Sequence, residues 1–443
     1  MVLGFGNLIS SAACDTEGDP EMADLETTDY FLSREMVVDP YPYLEDLRAR
    51  GPVNREPFHD VVLVSGFDEV IQVYSTPNTF SSCNSVTGPF PGFPVPLEGD
   101  DVSDIIDAHR DELPFSDQLP AFDPPKHTLQ RALLMRLITP KRLKENEDFM
   151  WVLADRQLDE FVATGKCEFN GEYAGPYTLL VIADLLGVPE ADHDAFRSKL
   201  ASPTDLVKKG GGNLEHKPLE FLYEQFTEYI EDLRADPNEN VMAELATATY
   251  PDGRVPEVHD VALIAANLFV AGQETTVRLL SSMLLILAEH PDLQQRLRDH
   301  RDLIPNFIEE MLRFESPIKG EFRLTRRTTT VGGVEIPAGS NVMVLNNAAN
   351  RDPGRFENPN EFQLDRPNAR HHVAFGHGIH TCAGAPLARS EARVSLERIL
   401  DRMGDIRISD AEHGPPDART FRYVPTFLLR GLTKLHIEFT PLD

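Results

Sequence analysis

Cysteine is scarce and scattered in this chain: the four residues at 14, 83, 167 and 382 show no paired spacing. That argues against a disulfide framework and against a zinc site built on cysteines, and it points to a reducing compartment. Long apolar runs are missing as well. The longest, Val261 to Gly272, holds Asn267 and soon meets Gln273, Glu274 and Arg278, so it reads as a buried helix of a non-membrane protein. Met1 to Cys14 is mildly apolar but short, with no basic n-region or cleavage signal, which argues against a signal peptide. A cytoplasmic location is the resulting expectation. No linker, internal repeat or low-complexity tract divides the chain, and no Gly-rich dinucleotide fingerprint follows a strand. Positive charge is in deficit: 42 Lys and Arg face 72 Asp and Glu, a net charge of −30 that argues against nucleic acid and anionic membranes as partners. The first 33 residues hold no Lys or Arg and carry seven acids from Asp15 to Asp29. They read as an acidic, poorly ordered tail over 1–33, ahead of one folded domain over 34–443.

What remains is enough to build a large core, with 443 residues of which 41% are apolar. Val61 to Val64 reads as a strand beside Gly66, followed by a helix from about Phe67 to Tyr74. From Leu133 to Glu289 the pattern is helical, broken at Gly187-Val188-Pro189, Lys208 to Asn213 and Pro251-Asp252-Gly253. Between Thr328 and Asn346, alternating segments separated by Gly332-Gly333 and Pro337-Ala338-Gly339 predict a β-meander. The fold class is therefore mainly α with small β-sheets.

The richest segment runs from Phe375 through Gly376, His377, Gly378, Ile379, His380, Thr381 and Cys382 to Ala383 and Gly384. Gly376 and Gly378 permit positive φ, so the loop can bulge tightly and bring its backbone close to a flat ligand. Cys382 is followed by a helical run with Leu396, Ile399, Leu400 and Met403 at helical spacing. Amides at that helix start favour a thiolate over a thiol. Ala383, Gly384 and Ala385 are small enough to lie under something broad, and Phe375 is placed to cover the sulfur. A thiolate beneath a macrocycle is a haem ligand. The plainer reading of Cys382 alone is a buried structural cysteine.

This segment resembles the haem-binding signature of the cytochrome P450 family, the haem-thiolate monooxygenases, with every defining position filled. The resemblance implies the cytochrome P450 fold as a single haem-binding domain over 34–443. It implies haem b, iron protoporphyrin IX, with Cys382 as the axial ligand of the iron, and a haem lying between a long central helix and the helix after the cysteine. The bacterial members of that family carry no membrane anchor. With Cys382 assigned, three scattered thiols cannot supply the four ligands of an iron–sulfur cluster, so electrons must come from a separate protein.

Three further constellations fit this pattern. From about Val258 to Glu289 a helix of some 30 residues would extend about 45 Å at roughly 1.5 Å per residue. Midway it reads Ala271-Gly272-Gln273-Glu274-Thr275-Thr276, an acid beside two hydroxyls that is costly unless hydrogen-bonded or useful. Gly272 removes bulk where a ligand would approach, and a Thr bonded to its own helix opens a groove that admits water. A helix kink with a satisfied acid is the alternative; the resemblance implies that Glu274 and Thr275 relay protons. Glu310 and Arg313 alone are an ordinary i,i+3 pair. Lying 72 residues before Cys382, Glu310 resembles the first member of the family's Glu-Arg-Arg network, with Arg313 and Arg366 completing it in a folding role. Two haem propionates call for matched cations. His127 and Arg131, four apart on one helix face, Arg323, and His380 are routine polar residues by themselves, and the resemblance assigns each to a propionate.

Lys126 to Lys144 reads KHTLQRALLMRLITPKRLK, with six Lys or Arg and no acid. By itself it is an amphipathic helix with a basic face; in so acidic a chain it points to a docking patch for an acidic electron carrier, an iron–sulfur ferredoxin or a flavodoxin-like protein. The resemblance draws the substrate pocket from Ser82 to Pro120, Lys208 to Asn213, Leu268 to Gly272, Pro317 to Phe322 and Thr426 to Leu429. Leu268, Phe269, Ala271 and Gly272 would line it from the central helix. Ile318, Phe322 and Phe427 would add an apolar wall suited to a hydrophobic guest. Gly210-Gly211-Gly212 implies a mobile lid. The expected function is a monooxygenase that activates dioxygen and hydroxylates a hydrophobic small molecule such as a terpenoid or steroid. A non-enzymatic haem sensor or gas-binding protein, and a peroxide-driven oxygenase on the same scaffold, are the alternatives.

Overall fold

The run from Val261 to Ala266 is buried on every side, as a helix apolar all round must be, and it belongs to a continuous central helix, Val258–Glu289. His290 alone separates it from Pro291, which begins the next helix, Pro291–Asp299. The structure is a computed structural model that describes residues 26–200, 217–237 and 241–442. By proximity the chain falls into two units. One comprises residues up to His127 with Glu309–Cys382 and Tyr423–Arg430; the other comprises Thr128–Ile308, Ala383–Arg422 and the residues from Gly431 onward.

The described residues form ten short strands: β1 (Val53–Arg55), β2 (Val62–Val64), β3 (Phe80–Ser81), β4 (Lys166–Glu168), β5 (Glu321–Thr325), β6 (Thr329–Val331), β7 (Val334–Ile336), β8 (Asn341–Val344), β9 (Met403–Ile408) and β10 (His436–Pro441). In the first unit five of them make a sheet in the order β1-β2-β8-β5-β3, with β2 and β8 parallel and the other pairs antiparallel. The predicted meander is only half realised. β6 and β7 form a hairpin over Gly332 and Gly333, both at positive φ, but β8 leaves it to pair with β2 and β5. Burial explains the difference: Val342, Met343 and Val344 are all fully buried, and a strand covered on both faces belongs at the centre of a sheet.

The expected acidic tail falls outside the described residues as far as position 25. Beyond it the expectation needs correction, because Tyr30 and Phe31 are buried and pack with Tyr43, Phe322 and Met343. Burial of the two aromatic rings ties this segment to the core while the acids around them need not be buried with them.

In the second unit the central helix packs against Gly175–Leu186, Lys217–Ala235 and the post-cysteine helix, Ala385–Arg402. The predicted break after Leu186 is present, with Gly187 in the left-handed region at φ 72°. The post-cysteine helix starts at Ala385 with Pro386 in its first turn, where a missing N–H costs nothing. β4, β10 and β9 make a small sheet at its C-terminal end. No described helix is long and apolar enough to cross a membrane.

Candidate functional site

The cysteine loop is closed by its own backbone. The Cys382 N–H donates to the Phe375 carbonyl at 2.8 Å, Gly376 N–H to Val373 at 2.9 Å, and Thr381 N–H to Gly378 at 3.1 Å. Gly376 and Gly378 take φ of 67° and 72°, the left-handed values that favour glycine. Their surroundings differ: a Cβ at Gly378 would lie 2.6 Å from the Tyr74 carbonyl, whereas at Gly376 the nearest atoms are about 3.8 Å away. Gly378 therefore lets the loop rest directly on the end of the helix Phe67–Ser75. Cys382 is exposed, while Cys83 and Cys167 are buried. Burial pushes the Cys83 thiol up to about 11 and the Cys167 thiol higher still, which leaves both as inert neutral thiols.

Glu310, Arg313 and Arg366 meet in one buried network behind this loop. Both Glu310 oxygens accept from Arg313 at 2.7 Å, and Oε1 also accepts from Arg366 at 2.9 Å and from the Gln363 N–H at 2.9 Å. Such a fork is directional, so it fixes backbone as well as charge. Arg313 reaches the carbonyls of Asn350, Pro359 and Glu361, and Arg366 those of Glu357, Asn358 and Glu361. Asn350 carries the order onward, because its side-chain oxygen accepts the Val373 N–H at 2.7 Å at the very start of the loop. Nothing in the sequence assigns Asn350 or Tyr74 a role at the loop, since Asn350 reads only as the start of an Asn-Arg-Asp-Pro segment between Glu310 and Cys382, and Tyr74 only as the end of a predicted helix.

His380 and His127 come together with ring centroids 4.1 Å apart, and His380 Nε2 lies 3.1 Å from Ser82 Oγ. Ser82 is oriented in turn by Asp123, which accepts its N–H at 2.8 Å. Burial would raise the Asp123 carboxyl, but Arg110, Ser81, Ser82 and Arg326 hold it below the usual range. Arg323 is buried with its guanidinium over the Tyr74 ring, and it bonds Glu321 at 3.2 Å. The cysteine loop and Arg323 thus share Tyr74 as a support. Arg131 lies half-buried one turn after His127 on the helix Lys126–Leu137. Within the first unit, a thiol together with two imidazoles and the Arg323 guanidinium supplies the donors that an iron porphyrin with propionates requires, so these residues fit the group chemically. Gly384 caps the post-cysteine helix at negative φ, and its contribution is small size rather than backbone freedom.

On the central helix, Thr275 Oγ1 donates to the Ala271 carbonyl at 2.8 Å. Glu274 is buried and accepts from Arg278 at 2.7 Å through Oε2, while Oε1 has no partner among the described residues. Arg278 also bonds the Leu432 carbonyl, and it passes Gly431, where a Cβ would lie 2.5 Å from its side chain. Thr276 donates to Glu391 Oε2 at 3.3 Å, and complete burial pushes the Glu391 carboxyl well up. Asn267, Val270, Ala271, Gly272 and Thr275 are the partly or fully accessible positions of this stretch, and the spacing of 267, 270, 271 and 275 puts those four on one face. Val270 lies within the expected Leu268 to Gly272 segment; Asn267 falls just outside it, although counting back eight residues from Thr275 finds it.

Several pocket expectations require correction. Gly272 does not clear space for a ligand: a Cβ there would lie 2.6 Å from Ile182, so it permits close packing of two helices. Phe269 is fully buried against Phe196 and Phe226, and Leu268 is buried too. In the other unit Ile318 bridges Leu429, Phe322 and Phe427 meet edge to face at 5.8 Å, and Gly88 cradles the Phe322 ring. Three expected pocket segments are thereby joined, although Phe322 itself is sealed in core. The Lys208 to Asn213 turn and its glycines lie outside the described residues. The basic stretch is narrower than expected, because Arg142 is buried against Glu244 at 2.8 Å and Lys141 and Lys144 have acidic neighbours at 3.3–3.7 Å.

A family model described as cytochrome P450 matches residues 208–404. Cytochrome P450 144 of Mycobacterium tuberculosis is 34% identical over 419 residues, spanning 92% of this chain and 90% of the relative. The steroid C26-monooxygenase of Mycolicibacterium smegmatis is 30% identical over 402 residues, spanning 89% and 91%. Among solved structures, Mycobacterium marinum cytochrome P450 CYP150A6 in the substrate-free form is 53% identical, with a TM-score of 0.90 over 95% of this chain and 100% of that one.

Proposed function

The chain belongs to the cytochrome P450 family of haem monooxygenases, and from that premise we propose that it hydroxylates a hydrophobic small molecule of the terpenoid or steroid kind with electrons from a separate carrier. Cys382 would hold the iron of haem b through its sulfur, and His127, Arg131, Arg323 and His380 would hold the two propionates. So held, the haem supplies the activation of dioxygen. Thr275 holds a proton at Oγ1, already turned along the helix toward Ala271, and Glu274 is the acid from which that proton is replenished once Arg278 releases it. The Glu310 network keeps the Cys382 loop in register throughout.

The observation that carries this reading is the exposed Cys382 on a loop pinned by glycine geometry and a buried Glu-Arg-Arg network. An apolar guest is supported by Val270 and Ala271 on the accessible face of an otherwise buried helix, and by the steroid named for one relative. A ferredoxin or flavodoxin-like donor, docking at the exposed cations Arg136, Lys141 and Lys144, is supported by the charge contrast with a chain of net −30. A cytoplasmic setting agrees with thiols that form no disulfide among the described residues.

The test is turnover under labelled dioxygen with reduced ferredoxin across a panel of steroids and terpenoids. One labelled oxygen atom per product molecule is expected. Product that carries no label, or that forms only when peroxide is added, would refute the proposal.

A further inference from the structure

Asp29, Glu56 and His59 stand outside every constellation above, yet their ligand atoms all lie within 4.8 Å of one another. Asp29 precedes the first helix, Arg34–Val38, while Glu56 and His59 sit on the turn between β1 and β2. Each carboxylate is held by backbone through one oxygen. Asp29 Oδ1 accepts the N–H groups of Phe31 and Leu32 at 2.9 and 3.1 Å, which leaves Oδ2 at 2.9 Å from His59 Nε2. Glu56 Oε2 accepts those of Phe58 and His59 at 3.1 and 2.6 Å. Its other oxygen, Oε1, is buried without a hydrogen-bond partner among the described residues, on a side chain only 1% exposed.

An unpartnered carboxylate oxygen at that depth is costly. Burial pushes the Glu56 carboxyl up, against the opposing pull of the His59 and Phe58 N–H groups. The imidazole is clamped by ring contacts with Phe31 at 5.4 Å and Phe90 at 5.1 Å. Two carboxylates oriented by backbone N–H groups and one fixed imidazole form a donor set with its outer shell already in place. Two ligand atoms at ~2.0–2.1 Å from a tetrahedral ion sit roughly 3.3 Å apart, close to the spacing between Asp29 and His59.

We propose that Asp29, Glu56 and His59 bind a divalent first-row transition ion of the Zn2+ class, which pins the segment before the first helix to the β1–β2 turn. His59 binds through the Nε2 lone pair of the neutral ring, whose single proton then sits on Nδ1. The ion takes up the orphaned Glu56 oxygen. The site is independent of haem and of turnover.

The experiment is calorimetric titration of Zn2+ into full-length, haem-loaded protein stripped with a chelator, at neutral pH. One equivalent is expected to bind, with affinity falling at least tenfold in His59→Ala and in Asp29→Asn. Tenfold excess Mg2+ should leave it bound. No Zn2+ uptake, displacement by Mg2+, or wild-type affinity in folded variants with an unshifted haem band would overturn the site. Should His59→Ala fail to fold, Asp29→Asn and Glu56→Gln decide the matter by the same criterion.

Discussion

Thr275 keeps its hydroxyl on the Ala271 carbonyl of its own helix, at an accessible position flanked by buried ones. Thr275→Ala removes the donor without touching the helix core. Electron consumption should continue while product per electron falls roughly tenfold or more and peroxide rises, since positioned proton transfer is worth factors of that order and above. Unchanged coupling would remove Thr275 from the relay. Glu391 makes a contrasting case, a carboxyl whose burial favours the neutral form and whose Oε2 accepts from Thr276. Its folded pKa lies above the ordinary 4.5, so the stability it lends is present below that value and is lost as pH rises. Glu391→Gln removes the titration. The variant should therefore gain on wild type in urea denaturation between about pH 4 and pH 7. A constant difference across that window would show that the carboxyl does not titrate in the chain. The Thr275 bond to its own helix was legible in the sequence, but the environment of Glu391 was not, because Glu391 lies 115 residues from Thr276.

At the level of elements, the two loop glycines separate backbone freedom from close contact. Gly376→Ala should cost about 1–2 kcal/mol, the penalty of a left-handed residue in open space. Gly378→Ala adds a collision with the Tyr74 carbonyl and should cost clearly more, with haem retention falling in parallel. Equal losses in thermal unfolding would contradict the packing described for the loop. The Glu310 network offers a larger effect. Glu310→Ala leaves two buried guanidiniums without their carboxylate and should cost about 3–5 kcal/mol, measured by urea unfolding, with the cysteine loop loosened through Asn350. The loop itself was legible, since two glycines two residues apart before a cysteine announce their geometry. The network was not, because Glu310 and Arg313 are indistinguishable from a surface pair until Arg366, 56 residues on, closes over them. β8 was misplaced for a related reason: its partner β2 is separated from it by 280 residues, and only complete burial of Val342 to Val344 demands a central position.

Over the whole molecule, a net charge of −30 leaves few places where an acidic carrier can approach. Arg136, Lys141 and Lys144 are exposed, and the exposed ion pairs of the two lysines are weak enough for a partner to replace. Reversing Arg136 and Lys141 to Glu should slow reduction by the carrier several-fold and flatten its dependence on salt. An unchanged salt profile would move the docking surface elsewhere. The mainly helical architecture was readable from periodicity, and the central helix runs from Val258 to Glu289 as its pattern predicts. Which small residues face a ligand was not readable, as Gly272 against Ile182 makes plain. One measurement reaches the heart of the account, the absorption of the reduced carbon monoxide complex in wild type and Cys382→Ser. A strongly red-shifted band that vanishes in the variant is predicted. An unshifted wild-type band, or a red-shifted band that survives loss of the sulfur, would contradict thiolate ligation by Cys382.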